Sequence, residues 1–395
     1  MILSGVLGWT ISLLLLPTLW LFVDAIGGFR ARHSAAMAVG TCSVKDFTIL
    51  VPIYGDVRYL ENVEFLAQYS HRVVLCTTTN ESDEFNRQLT SIAYLHGFQV
   101  FRAAAAVLES HSSTRSTGGT VRDSIIRSVL PTVTTESVVC IDADTTTVQP
   151  LGLLVGALET RGLDLASIRL VPSNSNESVL TRLQTYEYRL SMRMRIIAPW
   201  LVSGACHAAR TEVLRDVMSH HSLFFQGNDV ETGLLAEAMG FKVGHVPFEV
   251  PTTVPVRLKP WWRQHLAWAG GEFRLFFVNA RIGLRHPFFW TYGLVITLLA
   301  LPLRWNGLIH FGYVVGSVVV LYLVLSLYLH WPNRGWTIIL MPFYSAFVSL
   351  ILVPLGVISY IYMAIVARNA GIIRVPTQLD SGPRSLRASV YRRES

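Results

Sequence analysis

Two aspartates one residue apart, Asp142 and Asp144, follow the short apolar run Ser137-Val138-Val139-Cys140-Ile141. A β-strand that delivers two carboxylates at its carboxyl end presents hard oxygen ligands, suited to Mg²⁺ or Mn²⁺ carrying a diphosphate. The bland alternative is turn chemistry, because Asp is common just after a strand. A third carboxylate, Asp229, stands in Phe225-Gln226-Gly227-Asn228-Asp229-Val230-Glu231-Thr232-Gly233, ahead of an apolar helical pattern. There Asn228 or Asp229 would cap a helix that Gly240 stops, and Asp229 could also act as a general base. Residues 259–271 are dense in Trp and basic side chains, among them Trp261, Trp262, Arg263, His265 and Trp268. That segment reads either as a membrane-surface helix or as an aromatic groove on which a sugar ring stacks.

These groups need a frame to bring them together. Residues 47–52, 72–77, 98–101, 138–141 and 165–170 are short β-rich runs, and 57–69, 84–96 and 119–130 are helical patterns between them. Such alternation predicts a mostly parallel sheet covered on both faces. Ligands of such sheets bind beyond the carboxyl ends of the strands. The loop starting at Pro52 and the Asp142/Asp144 turn would share that edge.

The chain has 395 residues, 51% hydrophobic and 15% charged, and the excess apolar content lies at its two ends. Residues 2–23 form one stretch long enough to span a bilayer, with Arg30, Arg32 and Lys45 after it rather than before it. That charge order predicts an anchor with the following domain on the cytoplasmic side. Residues 287–303, 307–329 and 336–366 predict about three further spans. The expected organisation is an N-terminal transmembrane helix (1–24), a cytoplasmic catalytic domain (45–256), an interface segment (257–284), transmembrane helices (285–367) and a basic tail (368–395). Four cysteines without metal-ligand spacing read as free thiols. A net charge of +7 and a pI near 9.4 suit an anionic membrane surface. The basic residues are scattered and form no aromatic-plus-basic motif, which argues against nucleic acid.

The motifs stand in a particular order: Val51-Pro52-Ile53-Tyr54, Asp142-Ala143-Asp144, Ser203-Gly204-Ala205, Gly227-Asn228-Asp229, then Gln264 and Trp268. That order resembles the membrane-embedded family 2 glycosyltransferases, which include hyaluronan, chitin-oligosaccharide, cellulose and type 3 capsule synthases. The resemblance implies an α/β GT-A nucleotide-sugar domain joined to α-helical transmembrane segments, and an inverting mechanism. By the same resemblance Pro52 and Tyr54 flank the nucleotide base, and Asp144 is the main ligand of Mg²⁺ or Mn²⁺. Asp142 touches the metal or the ribose, Ser203 and Gly204 line the acceptor side, and Asp229 deprotonates the attacking hydroxyl. Gln264 and Trp268 match the outer positions of the family's QxxRW motif on the acceptor.

This chain departs from the family at four places. The motif Arg is Ala267, which makes Arg263 a candidate for the missing diphosphate contact, one turn away on a helix. Arg122 stands where the family often has Lys after two glycines, the usual Glu-Asp is Asn228-Asp229, and the second strand ends in threonines, with Asp83 as a substitute for the family's aspartate. The implied partners are a nucleotide-sugar donor (UDP-linked favoured), a glycan or lipid-linked acceptor, membrane lipids and a homo-oligomer. The implied location is the plasma membrane, as an integral protein. The reading carried forward is a processive polysaccharide synthase. Single addition to a lipid acceptor, and a non-catalytic glycan-binding or transport protein, are the alternatives.

Overall fold

The computed structural model describes residues 46–104, 118–221, 223, 227–278, 311–331 and 335–369. In chain order the strands are β1 (Phe47–Pro52), β2 (Val73–Thr78), β3 (Gln99–Ala103), β4 (Ser137–Ile141), β5 (Leu165–Pro172), β6 (Cys206–Arg210) and β7 (Val243–Thr252). The α-helices are α1 (Val63–Ala67), α2 (Asp83–His96), α3 (Gly118–Val129), α4 (Leu151–Thr160), α5 (Val179–Ile197), α6 (Thr211–His220), α7 (Asn228–Ala238), α8 (Leu258–Val278), α9 (Phe311–Leu329), α10 (Met341–Phe347) and α11 (Val353–Asn369).

Local chemistry accounts for these elements. All five residues of β4 are buried, which is why the strand reads as an unbroken apolar run rather than an alternating one. Helix α2 starts where the Ser82 side chain accepts the Phe85 N–H, carries Asp83 and Glu84 in its first turn, and stops at Gly97 with φ +71°. The expected helix over 57–69 is instead a 3₁₀ turn (Val57–Tyr59) followed by the short α1.

The chain forms two compact units. The first contains Ala35–Val171 and Ala198–Thr252, the second Pro172–Ile197 and Thr253–Tyr362. The first unit is built on a seven-stranded sheet of order β3-β2-β1-β4-β6-β5-β7. Strands β3, β2, β1 and β4 run parallel, whereas β6 pairs antiparallel with both β4 and β5. The sheet is therefore mixed rather than mostly parallel. From β1 the chain passes to β2 on one side and later to β4 on the other. That is a topological switch point, which opens a crevice at the carboxyl ends of β1 and β4. Sequence patterning missed β6 and β7. Strand β6 is a run of Ala, His and Arg without β-branched residues, and β7 contains Pro247 and Pro251. Prolines are tolerated because β7 lies at the edge of the sheet.

The second unit is helical. Leu183, Tyr186 and Leu190 of α5 pack with Trp261 of α8, Tyr322 and Leu329 of α9, and Met341 and Tyr344 of α10 in one buried cluster. The expectation of transmembrane helices is corrected here: among the described residues, no helix is long and apolar enough to cross a membrane. The segment 307–329 contributes α9, whose 19 residues rise just under the ~30 Å of a hydrocarbon core. Its Tyr322, Leu329 and Ser326 are buried inside the unit. The segment 336–366 is not one helix. It divides into a 3₁₀ turn (Trp336–Leu340), α10, a π-helical turn (Val348–Leu352) and α11. The placement as an integral membrane protein is corrected with it. The expected spans at 1–24 and 287–303 lie outside the described residues, as does the basic tail.

Candidate active site

The carboxyl ends of β1 and β4 bring most of the expected residues to one place. Pro52 closes β1, and Tyr54 follows it in the loop. Burial holds the Tyr54 hydroxyl above its usual pKa; Arg122 opposes that shift, while Asp142, Asp123 and Glu81 add to it. Tyr54 therefore lies within electrostatic reach of the Asp142 carboxylate. After β4 the chain turns sharply, with Thr145 N–H donating to Asp142 O at 3.0 Å. Buried Asn62 clamps this turn, its Nδ2 donating to Asp142 O at 3.0 Å and to Thr145 O at 2.6 Å. Asp144 stays exposed at the tip, where Thr145 Oγ1 donates to its Oδ1 at 3.2 Å. The rigid turn thus points one free carboxylate outward and holds the other against the protein.

That inner carboxylate belongs to a network centred on Arg122 of α3. Arg122 Nε donates to Asp142 Oδ1 at 2.6 Å and Nη1 to Asp123 Oδ1 at 2.8 Å. Its Nη2 donates to the Gly204 carbonyl. Burial would lower the Arg122 pKa, but Asp142 and Asp123 outweigh it and hold the guanidinium above its ordinary value. Gly204 lies in the loop before β6, and its own N–H donates to Asp229 Oδ2 at 2.8 Å.

Asp229 occupies the first turn of α7, where the helix dipole favours an anion. The N-cap is Gly227 at φ +85°, with no side-chain cap. The capping role that Asn228 or Asp229 could have taken is thus not used, and the Asp229 carboxylate reaches across to Gly204 instead. Gly240, at φ +85°, does follow the helix end. Behind Asp229, His221 is buried. Its Nε2–H donates to Asn228 O at 2.7 Å, and its Nδ1 accepts the Leu223 N–H at 3.1 Å. Those two bonds fix the neutral Nε2–H tautomer. Buried Glu231 lies 3.6 Å from the same Nδ1. Burial raises the Asp123 pKa, offset in part by Arg122.

Ser203 is buried, its Oγ accepting the Ala205 N–H at 3.3 Å and its carbonyl accepting from His207 Nδ1 at 3.0 Å. Burial, followed by the Arg122 charge, lowers the His207 pKa to about 4. No local pattern singles out His207, His221 or Asn62, which sit in ordinary polar contexts. Glu81 was also missed. Its carboxylate accepts from Gly55 N–H and from Thr78 Oγ1, each at 3.0 Å, so it closes the loops after β1 and β2. Asp83, offered as a substitute for the family's aspartate after the second strand, is exposed in the first turn of α2.

Arg263, Gln264 and Trp268 lie on α8 in the second unit. Arg263 is exposed. Gln264 Oε1 is buried without a hydrogen-bond partner. Trp268 is 37% exposed, with the His265 ring at 5.0 Å and the Tyr188 ring at 6.2 Å. His265 is buried in the unit's core: its Nε2 meets Glu187 Oε2 at 3.0 Å, and Tyr344 donates to the same oxygen at 2.6 Å.

Among the described residues, no group of three or more His, Cys, Asp or Glu forms a ready metal cage. One exposed carboxylate with a second one residue away is nevertheless a fitting donor set for Mg²⁺ or Mn²⁺. Mg²⁺ in particular is commonly held by one or two carboxylates, with substrate phosphates and water completing the shell.

Residues 137–370 match the family model described as glycosyl transferase family group 2. The chain is 31% identical over 143 residues to an N-acetylglucosaminyltransferase of Bradyrhizobium diazoefficiens, covering 33% of this chain and 30% of that protein. It is 32% identical over 120 residues to an N-acetylglucosaminyltransferase of Rhizobium meliloti, covering 27% of this chain and 28% of that one. The chain thus spans under a third of the length of these curated relatives. The structure resembles mannosyltransferase PcManGT from Pyrobaculum calidifontis in complex with GDP-Man and Mn²⁺. The TM-score is 0.56 at 16% identity, covering 87% of this chain and 99% of that one. That likeness is one of fold.

Proposed function

This chain belongs to glycosyl transferase family group 2, and from that membership we propose that it moves a sugar from a nucleotide-sugar donor to an acceptor hydroxyl in a single inverting displacement. The supporting observation is the short path between two carboxylates of different roles. Asp142 is bonded to Arg122, Arg122 to the Gly204 carbonyl, and the Gly204 N–H to Asp229. Donor-side and acceptor-side groups therefore share one crevice.

In this reading Pro52 and Tyr54 border the nucleotide base, and Asp144, with Asp142 beside it, holds the divalent cation. When bound, that cation supplies positive charge to the diphosphate leaving group. Asp229 accepts the proton of the attacking hydroxyl. Its carboxylate is acceptor-only when ionised, and the Gly204 N–H bond fixes one oxygen while the other is left for the substrate. Ser203 and Gly204 line the acceptor side, and Gln264, Trp268 and Arg263 serve acceptor and donor from α8. A nucleotide-linked N-acetylhexosamine is the first donor to test, because the curated relatives are named N-acetylglucosaminyltransferases.

The test offers the purified full chain a panel of nucleotide sugars with Mg²⁺ or Mn²⁺ and follows nucleoside diphosphate release. Cation-dependent release from at least one donor, abolished by chelation, is expected. Silence across the whole panel, with and without glycan acceptors, contradicts the proposal. Product length from radiolabelled donor then separates one addition from many.

A further inference from the structure

We propose that Arg122 is a positioning residue that sets the distance between the donor-side carboxylate and the catalytic base through Gly204, rather than a ligand of the donor diphosphate. The inference rests on the transferase reading above and goes beyond it in assigning this coupling.

Each nitrogen of the guanidinium donates to the protein. Its Nε serves Asp142, its Nη1 serves Asp123 and its Nη2 serves the Gly204 carbonyl, and the side chain is only 13% exposed. Each contact belongs to a different part of the site: the end of β4, α3 itself, and the loop before β6. A second link runs beside the first, since Asp142 N–H donates to Ala205 O at 3.0 Å. The segment around Gly204 is thus stitched to the donor turn by two bonds and to the base by a third, the 2.8 Å contact with Asp229. The planar fork of arginine reaches separate acceptors in fixed directions, which the single ammonium of lysine does not. A diphosphate arriving at Asp144 would find this guanidinium already paired. Its charge therefore acts on the site through geometry: a small drift of Gly204 carries the Asp229 oxygen with it, and sub-ångström alignment governs displacement rates.

The experiment uses the Gly204 amide as reporter. The full chain is labelled with ¹⁵N-glycine, and the Gly204 peak is identified by its loss in Gly204→Ala. That change is sterically mild, since a Cβ there would meet Asp229 Oδ2 at 3.6 Å. Arg122→Lys keeps the charge and removes the fork. The expected result is an upfield shift of the Gly204 amide in the ligand-free protein, at least tenfold lower kcat, and a dissociation constant for UDP with Mg²⁺ within about threefold of wild type. If Arg122 instead grips the diphosphate, UDP binding weakens tenfold or more while the free Gly204 amide stays in place, and the proposal is overturned. It is equally overturned if the melting temperature falls while the amide and kcat are unchanged, since the role is then only structural. Should Arg122→Lys not fold, Arg122→Gln/Asp123→Asn keeps the net charge of the trio and must show the same amide shift. If wild type transfers nothing from any donor, the functional reading fails, yet the amide and UDP measurements still decide the coupling.

Discussion

The two units bury polar chemistry in different ways. At the carboxyl edge of the sheet, charges are paired and tied to backbone: Arg122 answers two carboxylates, and Asp229 answers a peptide N–H. In the helical unit one carboxylate, Glu187, gathers an imidazole and a phenol from α8 and α10, and Trp261 Nε1 donates to that phenol at 3.0 Å. The first arrangement fixes ionised groups through paired bonds between the end of β4 and the helices α3 and α7, the placement that the proposed proton transfer needs. The second is mostly aromatic and leaves Trp268 part-exposed beside His265, a face on which the proposed acceptor would stack. Displacement chemistry is thus expected to be sensitive to the first region, and acceptor affinity to the second.

The largest break in that contrast comes from Asp229→Asn. It keeps an oxygen for the Gly204 N–H and removes the base, so kcat should fall about 10²- to 10⁴-fold with an unchanged melting temperature. Steady-state nucleotide release with acceptor present measures this.

Acid should weaken the first unit through His207. Its folded pKa is about 4 against an ordinary 6.5, so the unfolded chain takes up the proton first as pH falls. The stability contribution is whole above pH 6.5 and disappears progressively down to about pH 4, roughly 3 kcal/mol at ~1.4 kcal/mol per pKa unit. Asp123, raised by burial, has the opposite sign. The readout is therefore the difference in denaturant midpoints between wild type and His207→Asn at pH 7.5 and 4.5, which should narrow sharply at the lower pH.

Two glycines sharpen the comparison. A Cβ on Gly233 would sit 1.9 Å from the Trp200 carbonyl oxygen, and one on Gly356 would sit 2.7 Å from Ala269 Cβ and 2.8 Å from Gly270 N. Either alanine should cost about 1–3 kcal/mol by overpacking. Gly233→Ala, which pushes on α7, should also lower kcat, whereas Gly356→Ala, which pushes on α8, should raise acceptor KM and spare kcat. Thermal melts with paired kinetics decide the matter. The smallest effect is expected from Trp268→Ala. Loss of one part-exposed stacking face should raise acceptor KM about 3- to 10-fold with little change in stability.

The sequence made the candidate edge legible because carboxylates and strand endings coincide there. An apolar run ending in Asp142-Ala143-Asp144 states both the strand and the carboxylates beyond it, and Ser82 and Gly97 mark the two ends of α2. What lay beyond reach was set by contacts distant in sequence. No local pattern says that Arg122 meets Gly204, 82 positions away, or that Glu81 closes the loop after β1. The prolines of β7 hid an edge strand, and the Ala-rich β6 lacked β-branched residues. The segments 307–329 and 336–366 misled for another reason. Hydropathy alone does not foretell where a helix changes its winding, as the second segment does at its 3₁₀ turn (Trp336–Leu340) and its π-helical turn (Val348–Leu352).

The most direct test of the central claim compares Asp144→Asn with Asp229→Asn in two assays: calorimetric binding of UDP with Mg²⁺ or Mn²⁺, and transfer from the active donor. One crevice with divided roles requires that Asp144→Asn lose cation-dependent nucleotide binding, while Asp229→Asn binds the nucleotide as wild type does and transfers almost nothing. An Asp229→Asn protein that transfers sugar at the wild-type rate would contradict the account.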